Sequence, residues 1–396
     1  MIPYSTQCID DDDICAVVSA LKSDFITQGS KVDEFERKIA DFVGAKYAIS
    51  FNSATSALNI AYKIIKCDLA NRAQNRAKTC TKTCADSCDK IEFLTTPLTF
   101  CATANMMIEN GITPRFCDID ALGNIDINKL QISPNTKAQN IKAIVSVDYA
   151  GNSVEADIIA QICKENNLYF ISDSSHSFGG ALNGRKIGTF ADMSIFSFHA
   201  VKPITTIEGG AITTNNEQFY HTAKLLRSHG IQKTELWDSE IISQGVANSA
   251  FIGHNFRLSD VSASLGISQL NKLESFLAAR TKIARIYDSA FERESKFRTL
   301  KIPQNIKPTY HLYPILLDSA LFKYKKAIFR ALLDAKLGVQ VHYKPLYKFA
   351  PYKNNAPLPN VEDFYNAEIS IPCHQKMSEQ DAEYVITTLR EVLKRY

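Results

Sequence analysis

The chain reads as an α/β protein, a doubly wound and mostly parallel sheet followed by a smaller C-terminal α+β unit. Three observations predict this. From about residue 45, short apolar strands alternate with helical runs, the pattern of a parallel sheet covered on both faces. After Asp173 the alternation gives way to two strands joined by a short connection, which suits the close of such a sheet. From about residue 260 a long helical run leads into shorter mixed elements. A large unit over 1–260 and a small one over 261–396 are expected, with the N-terminal segment packing on the small unit. No linker marks the boundary, which falls somewhere within 250–275.

Each element has its own signal. YAISF (47–51) is a short apolar strand, and TSALNIAYKII after it repeats Leu58, Ala61, Tyr62 and Ile65 at helical spacing. FLTTPLTF precedes a second helical run, ATANMMIEN, which Gly111 ends. RFCDI and KAIVSV read as strands, EADIIAQICKEN as a helix and LYFIS as a strand. DMSIFSF and GGAITT are the two closing strands, with a tight turn expected at the Gly-Gly. VSASLGISQLNKLESFLAARTKIARIYDSAF is helical, HLYPILL a strand, FRALLDAK a helix and QVHYKPLY a strand.

Composition narrows the function classes. A chain of 396 residues, 45% of them hydrophobic, can bury a large core. Its 45 basic and 42 acidic residues are interspersed and leave a formal net charge of +3, so neither nucleic acid nor a membrane surface is an expected partner. No apolar run spans a bilayer and the start resembles no signal peptide, so a cytoplasmic protein is expected. Ten cysteines are too dilute for a disulfide scaffold. Only Cys80, Cys84 and Cys88 cluster, inside the polar segment 68–90 that separates a helix from the next strand. Their spacing matches no common zinc or iron–sulfur pattern, so a surface insertion is expected there and no metal.

Open parallel sheets bind ligands beyond the carboxyl ends of their strands. Four such ends carry candidate residues, polar but for one aromatic: Asn52, Ser53 and Thr55; Thr99 and Phe100; Asp173 and His176; Ser197, His199 and Lys202. Singly each has an ordinary explanation. Ser53 or Thr55 suits a helix N-cap, Asp173 a turn, His176 and Phe100 the core, and Lys202 a surface amine reached by snorkelling. Together they supply what pyridoxal phosphate needs: a helix start for the phosphate, an aromatic face, an acid for the ring nitrogen and an amine for a Schiff base. An amine placed between an apolar strand and Gly209-Gly210 must either reach water with its head or lose part of its charge, and the uncharged form is a nucleophile.

At these residues the chain resembles the DegT/StrS family of sugar aminotransferases, which have the fold-type-I pyridoxal phosphate architecture. The likeness rests on TQG (27–29), NSATSAL (52–58), TPLTFCATANM (96–106), SDSSHSFGG (172–180), SFHAVKPITTIEGG (197–210), GHNFRLSD (253–260) and VHYKPLY (341–347), in family order across almost the whole chain. It implies that Lys202 links to the cofactor, that Asp173 holds the pyridine nitrogen and His176 the ring hydroxyl side, and that Phe100 stacks on the ring. Ala54, Thr55 and Ser197 would take the phosphate, helped by Asn255 reaching in from a second copy, which implies a homodimer with shared active sites. Two departures are Ala54, where many relatives have glycine, and Ser172, where many have glutamate.

VDYAGNSVE, RSHG, HLYPILL and EDFYNAEISIPCH are also similar to the branch of the family that serves pseudaminic acid biosynthesis and flagellin glycosylation. That implies a UDP-linked 4-keto-6-deoxy-HexNAc of L-arabino configuration as amino acceptor, glutamate as donor and pyridoxamine phosphate as the intermediate cofactor form. Thr27, Gln28, His342, Tyr343 and Lys344 are the expected sugar-nucleotide contacts. The alternatives are the D-xylo epimer as substrate (bacillosamine-type), a sugar dehydratase, in which histidine replaces this lysine, and a non-catalytic regulator.

Overall fold

The computed structural model describes residues 1–79, 90–130, 132, 140–231, 252–353 and 355–396, with the side chains of 73–79 left aside. Helices α1 (Asp11–Leu21) and α2 (Ser30–Val43) lead into β1 (Tyr47–Phe51) and α3 (Ala54–Thr79). Then follow β2 (Glu92–Thr95), α4 (Ala102–Glu109), β3 (Thr113–Phe116), β4 (Ile141–Val147), α5 (Ala156–Glu165) and β5 (Tyr169–Asp173). A small β6 (Ala181–Leu182) and β7 (Arg185–Lys186) precede β8 (Met193–Ser197), β9 (Gly210–Thr214) and α6 (Glu217–Arg227).

Seven strands form one sheet in the order β1-β9-β8-β5-β4-β2-β3, and within it only β9 runs antiparallel to its neighbours. Its strands are apolar on both faces because both are covered. Ile144, Phe170 and Phe196 pack with α2, α5 and part of the following long helix. The alternate residues Ala143, Val145, Ile171 and Ile195 pack with α3, α4 and α6 on the other side. Each such fully buried Ile, Val or Phe contributes roughly 1.5–3 kcal/mol.

Helix α7 (Asp260–Ala290) packs its first half in the large core and its second half in a separate one. That second core lies between β10 (Phe297–Thr299), β12 (Tyr313–Leu317), β13 (Glu368–Ile371) and the helices α8 (Lys325–Asp334) and α10 (Glu379–Leu393). β11 (Ile306–Lys307) pairs with β6, and α9 (Pro359–Ala367) precedes β13. The chain start joins this part: Ile2 bridges Leu337, and Gly338 N–H donates to Ile2 C=O at 2.7 Å.

Three expectations need correction or placing. QVHYKPLY is not a strand. It holds a single bridge from Gln340 to Ser370 and then turns away, and Pro345 has no amide N–H to extend a ladder. Gly209 and Gly210 are not a left-handed turn. A Cβ on Gly210 would sit 2.4 Å from the Ala54 nitrogen, and one on Gly209 would sit 2.0 Å from the Thr206 hydroxyl oxygen, so close approach demands the pair. The segment from residue 68 begins as a continuation of α3 to Thr79, in line with its Ala, Arg, Gln and Lys content and an Asp68–Arg72 ion pair one turn apart. Cys80, Cys84 and Cys88 lie outside the described residues.

Candidate active site

Because β1, β2, β5 and β8 are mutually parallel, their carboxyl ends meet at one edge of the sheet, over a cavity of about 430 Å³. A shallower groove of about 790 Å³ runs along α7, but it is open to solvent and none of its lining residues belongs to these strand ends. After β1, Ser53 caps α3 by accepting from Ser56 N–H at 3.1 Å. That leaves Ala54 and Thr55, the first residues of the helix, lining the cavity, where the leading amides of a helix have no partner of their own. Capping thus falls to Ser53, and Thr55 is free of that task.

After β5, Asp173 is buried at the cavity wall. Its Oδ2 accepts from Thr103 Oγ1 at 2.7 Å, and its Oδ1 from Ser175 Oγ at 2.6 Å. Thr99, in the bend before α4, lies 2.9 Å from Thr103 on α4, so a file of hydroxyls orients the carboxylate. After β8, Ser197 lines the cavity and Lys202 follows in the connection to β9. Burial brings the Lys202 ammonium down to about 8, against the pull of Asp173 and with a further push from Arg280. The amine is 3.3 Å from Nε2 of His311.

His176 lies beside it, its Nε2 3.1 Å from the Tyr343 hydroxyl and its ring 4.4 Å from that of His311. Burial first, and then Lys202, push His176 and His311 well below the usual histidine range, so both are neutral at pH 7. Nδ1 of each is buried and has no hydrogen-bond partner among the described residues. Phe100 is no core aromatic: it is 58% exposed and lines the cavity, its ring 6.3 Å from that of Tyr343. A helix start, an exposed aromatic ring, a buried carboxylate held by two hydroxyls and a depressed amine around this volume fit pyridoxal phosphate.

The structure thus gathers Ala54, Thr55, Phe100, Asp173, His176 and Ser197 around the cavity with Lys202, and His342 and Tyr343 line the same cavity. Four expected residues stand outside that cavity. Thr27 bridges Ser259, and Gln28 follows it with a φ of 58°, held there as Gly29 N–H donates to Asp260 at 2.8 Å. Lys344 turns its amine over the Phe349 ring, and Asn255 is exposed, bridged to Ser228. Sequence reasoning missed His311, Tyr4 and Thr103. Thr103 was findable, since it is a hydroxyl residue in the first turn of the helix that follows the Thr99 strand end. His311 and Tyr4 come from the bend before β12 and from the N-terminal arm, which only tertiary folding brings to the lysine.

The profile of the DegT/DnrJ/EryC1/StrS aminotransferase family matches residues 7–390. The chain belongs to that family. Members are pyridoxal-phosphate-dependent aminotransferases, and so is this one. It is 46% identical over 398 residues to the UDP-4-amino-4,6-dideoxy-N-acetyl-β-L-altrosamine transaminase of Campylobacter jejuni, covering 100% of this chain and 98% of the relative. The solved Helicobacter pylori PseC, described as an aminotransferase of pseudoaminic acid biosynthesis, is 40% identical, with a TM-score of 0.88 and 100% of both chains covered. A Streptococcus pneumoniae protein described as a sugar aminotransferase and solved in its PLP form is 27% identical, with a TM-score of 0.85 and 100% and 99% coverage. Among the described residues no helix is long and apolar enough to cross a membrane.

Proposed function

We propose that this aminotransferase moves an amino group from glutamate to C4 of UDP-2-acetamido-2,6-dideoxy-β-L-arabino-hexos-4-ulose. The product is UDP-4-amino-4,6-dideoxy-N-acetyl-β-L-altrosamine, made in the cytoplasm for pseudaminic acid. The observation that carries the reading is full-length similarity at 46% to an enzyme of that name. The retained Lys202 adds to it, because a dehydratase of this family has histidine there.

Bound pyridoxal phosphate would supply an electron sink and a carrier for the amino group. Asp173, oriented by Thr103 and Ser175, would accept the ring N–H, and Phe100 would cover one ring face. Ala54, Thr55 and Ser197 would hold the phosphate. Lys202 Nζ, kept partly neutral by burial, would take the proton from the donor's α-carbon and pass it to the cofactor carbon that receives the amino group, and would run the same transfer in reverse in the sugar half of a ping-pong cycle. His342 and Tyr343 would meet the sugar, with Thr27, Gln28 and Lys344 nearer the nucleotide.

A homodimer is part of the proposal. Exposed apolar side chains, among them Phe25, Ile26, Ile207 and Ile252, support a covered surface in the assembled protein, and exposed Asn255 would serve the other copy's phosphate site. Residues 1–260 and 261–396 are taken as its two domains.

The test loads the protein with pyridoxamine phosphate and adds the L-arabino or the D-xylo 4-keto UDP-sugar while the visible spectrum is followed. The lysine-linked cofactor band is expected with the L-arabino sugar. Its appearance with the D-xylo sugar alone refutes the substrate assignment, and its absence with both refutes the sugar-aminotransferase reading.

A further inference from the structure

A buried polar file behind the cavity has no part in the reading above. Glu368 on β13 is fully buried. Its Oε2 accepts from the backbone N–H of His342 at 2.8 Å, and its Oε1 accepts from the Ser370 hydroxyl at 2.6 Å. Ser370 Oγ in turn lies 2.9 Å from Nδ1 of His342. Burial, with Lys202 adding to it, lowers His342 to about 3, so the ring is neutral and carries one N–H.

The proton positions follow from counting donors. A carboxylate only accepts, and a serine hydroxyl has one hydrogen to give. Ser370 spends that hydrogen on Glu368, so toward His342 it can only accept, and the imidazole hydrogen must sit on Nδ1. Nε2 is then a bare lone pair. It makes no hydrogen bond among the described residues, and His342 lines the cavity.

We propose that Glu368 and Ser370 are positioning residues that fix the tautomer of His342, making its Nε2 an acceptor-only contact for an N–H or O–H of the sugar. The donor's identity as a sugar group rests on the substrate reading above. A keto oxygen could not occupy this contact, so the file also orients the sugar.

The same count gives a pH response. Glu368 is raised to about 7 by burial, against the Ser370 hydrogen bond, the Lys325 charge from α8 and the His342 amide. The Tyr149 and Tyr343 phenols, also near it, stay neutral because burial raises both. Since Oε2 remains committed to the His342 amide, a proton added to Glu368 goes to Oε1 and donates to Ser370. Ser370 then donates to Nδ1, and His342 shows Nε2–H to the cavity. Acceptor character is present above about pH 7 and lost below it.

Glu368→Gln imposes the reversed state at every pH: its carbonyl keeps the His342 amide and its NH₂ faces Ser370. In cofactor-loaded protein, the nitrogen spectrum of ¹⁵N-labelled His342, assigned by its loss in His342→Asn, should show Nδ1–H in the wild type at pH 8 and Nε2–H in Glu368→Gln. The variant should raise KM for the keto sugar about tenfold, the scale of one hydrogen bond, and change kcat less than about twofold. The wild-type KM should rise as pH falls through about 7, and the variant's should not. Should Glu368→Gln fail to fold, Ser370→Ala should show the KM rise and Ser370→Thr should reverse it.

Nε2–H in the wild type at pH 8 overturns the proposal, as does a loss confined to kcat. Nδ1–H in a protein that does not turn over the sugar overturns the substrate reading, and with it the sugar as donor, while the tautomer assignment stands.

Discussion

Replacing Asp173 by Asn should make Lys202 less basic, although the usual expectation for an active-site acid is that it activates the lysine. Burial is the largest influence on the amine and favours its neutral form, while the Asp173 charge opposes burial by favouring the ammonium. With the midpoint at about 8 instead of the ordinary 10.5, about a tenth of Lys202 is neutral at pH 7, roughly 300-fold more than for an exposed lysine. Removing the carboxylate charge deletes the opposing influence, so the midpoint falls further. The assay is carbamoylation of cofactor-free protein by cyanate, small enough for the cavity, with the Lys202 peptide quantified by mass spectrometry from pH 6 to 11. The wild type should label with a midpoint near 8, and Asp173→Asn with a lower one. A wild-type midpoint at or above 10, or a rise in the variant, would refute the reasoning.

Gly210→Ala should lower both Tm and cofactor affinity, because the new Cβ would lie 2.4 Å from the Ala54 nitrogen and push β9 off the start of α3; thermal melts and cofactor titration read the two. Phe100→Ala should weaken cofactor binding several-fold, about 1 kcal/mol, and leave Tm nearly unchanged, since the ring is 58% exposed and its loss opens no core cavity. Arg280→Met should cost several kcal/mol in denaturant unfolding. The guanidinium is fully buried and donates to the carbonyls of Tyr310, His311 and Cys373, which methionine would leave without these donors.

The sheet was legible because burial on both faces writes itself as continuous apolar runs, and alternation with helical periods fixes the parallel order. Lys202 and Asp173 were legible for a related reason: charged residues at the ends of such runs stand where an open sheet binds its ligand. Other features depend on partners remote in sequence. QVHYKPLY has strand-like composition, yet its path is set by the His342 amide meeting Glu368. The Gly209-Gly210 pair looked like a turn because the atoms that exclude a side chain, Thr206 and Ala54, are not evident from the local pattern. His311 and Tyr4 carry no periodic signal, being brought to Lys202 by the small core and the N-terminal arm. Contacts expected at Thr27, Gln28 and Lys344 came from motif position alone, which places a residue in a loop without aiming its side chain.

The central claim is that Lys202 is the amine that carries the cofactor. Borohydride reduction of the pyridoxal-phosphate-loaded protein, followed by digestion and mass mapping, reads this directly. A phosphopyridoxyl group on the peptide containing Lys202, absent from Lys202→Ala, is the predicted result. A mark on another lysine, or none on a protein that has bound the cofactor, would contradict the account.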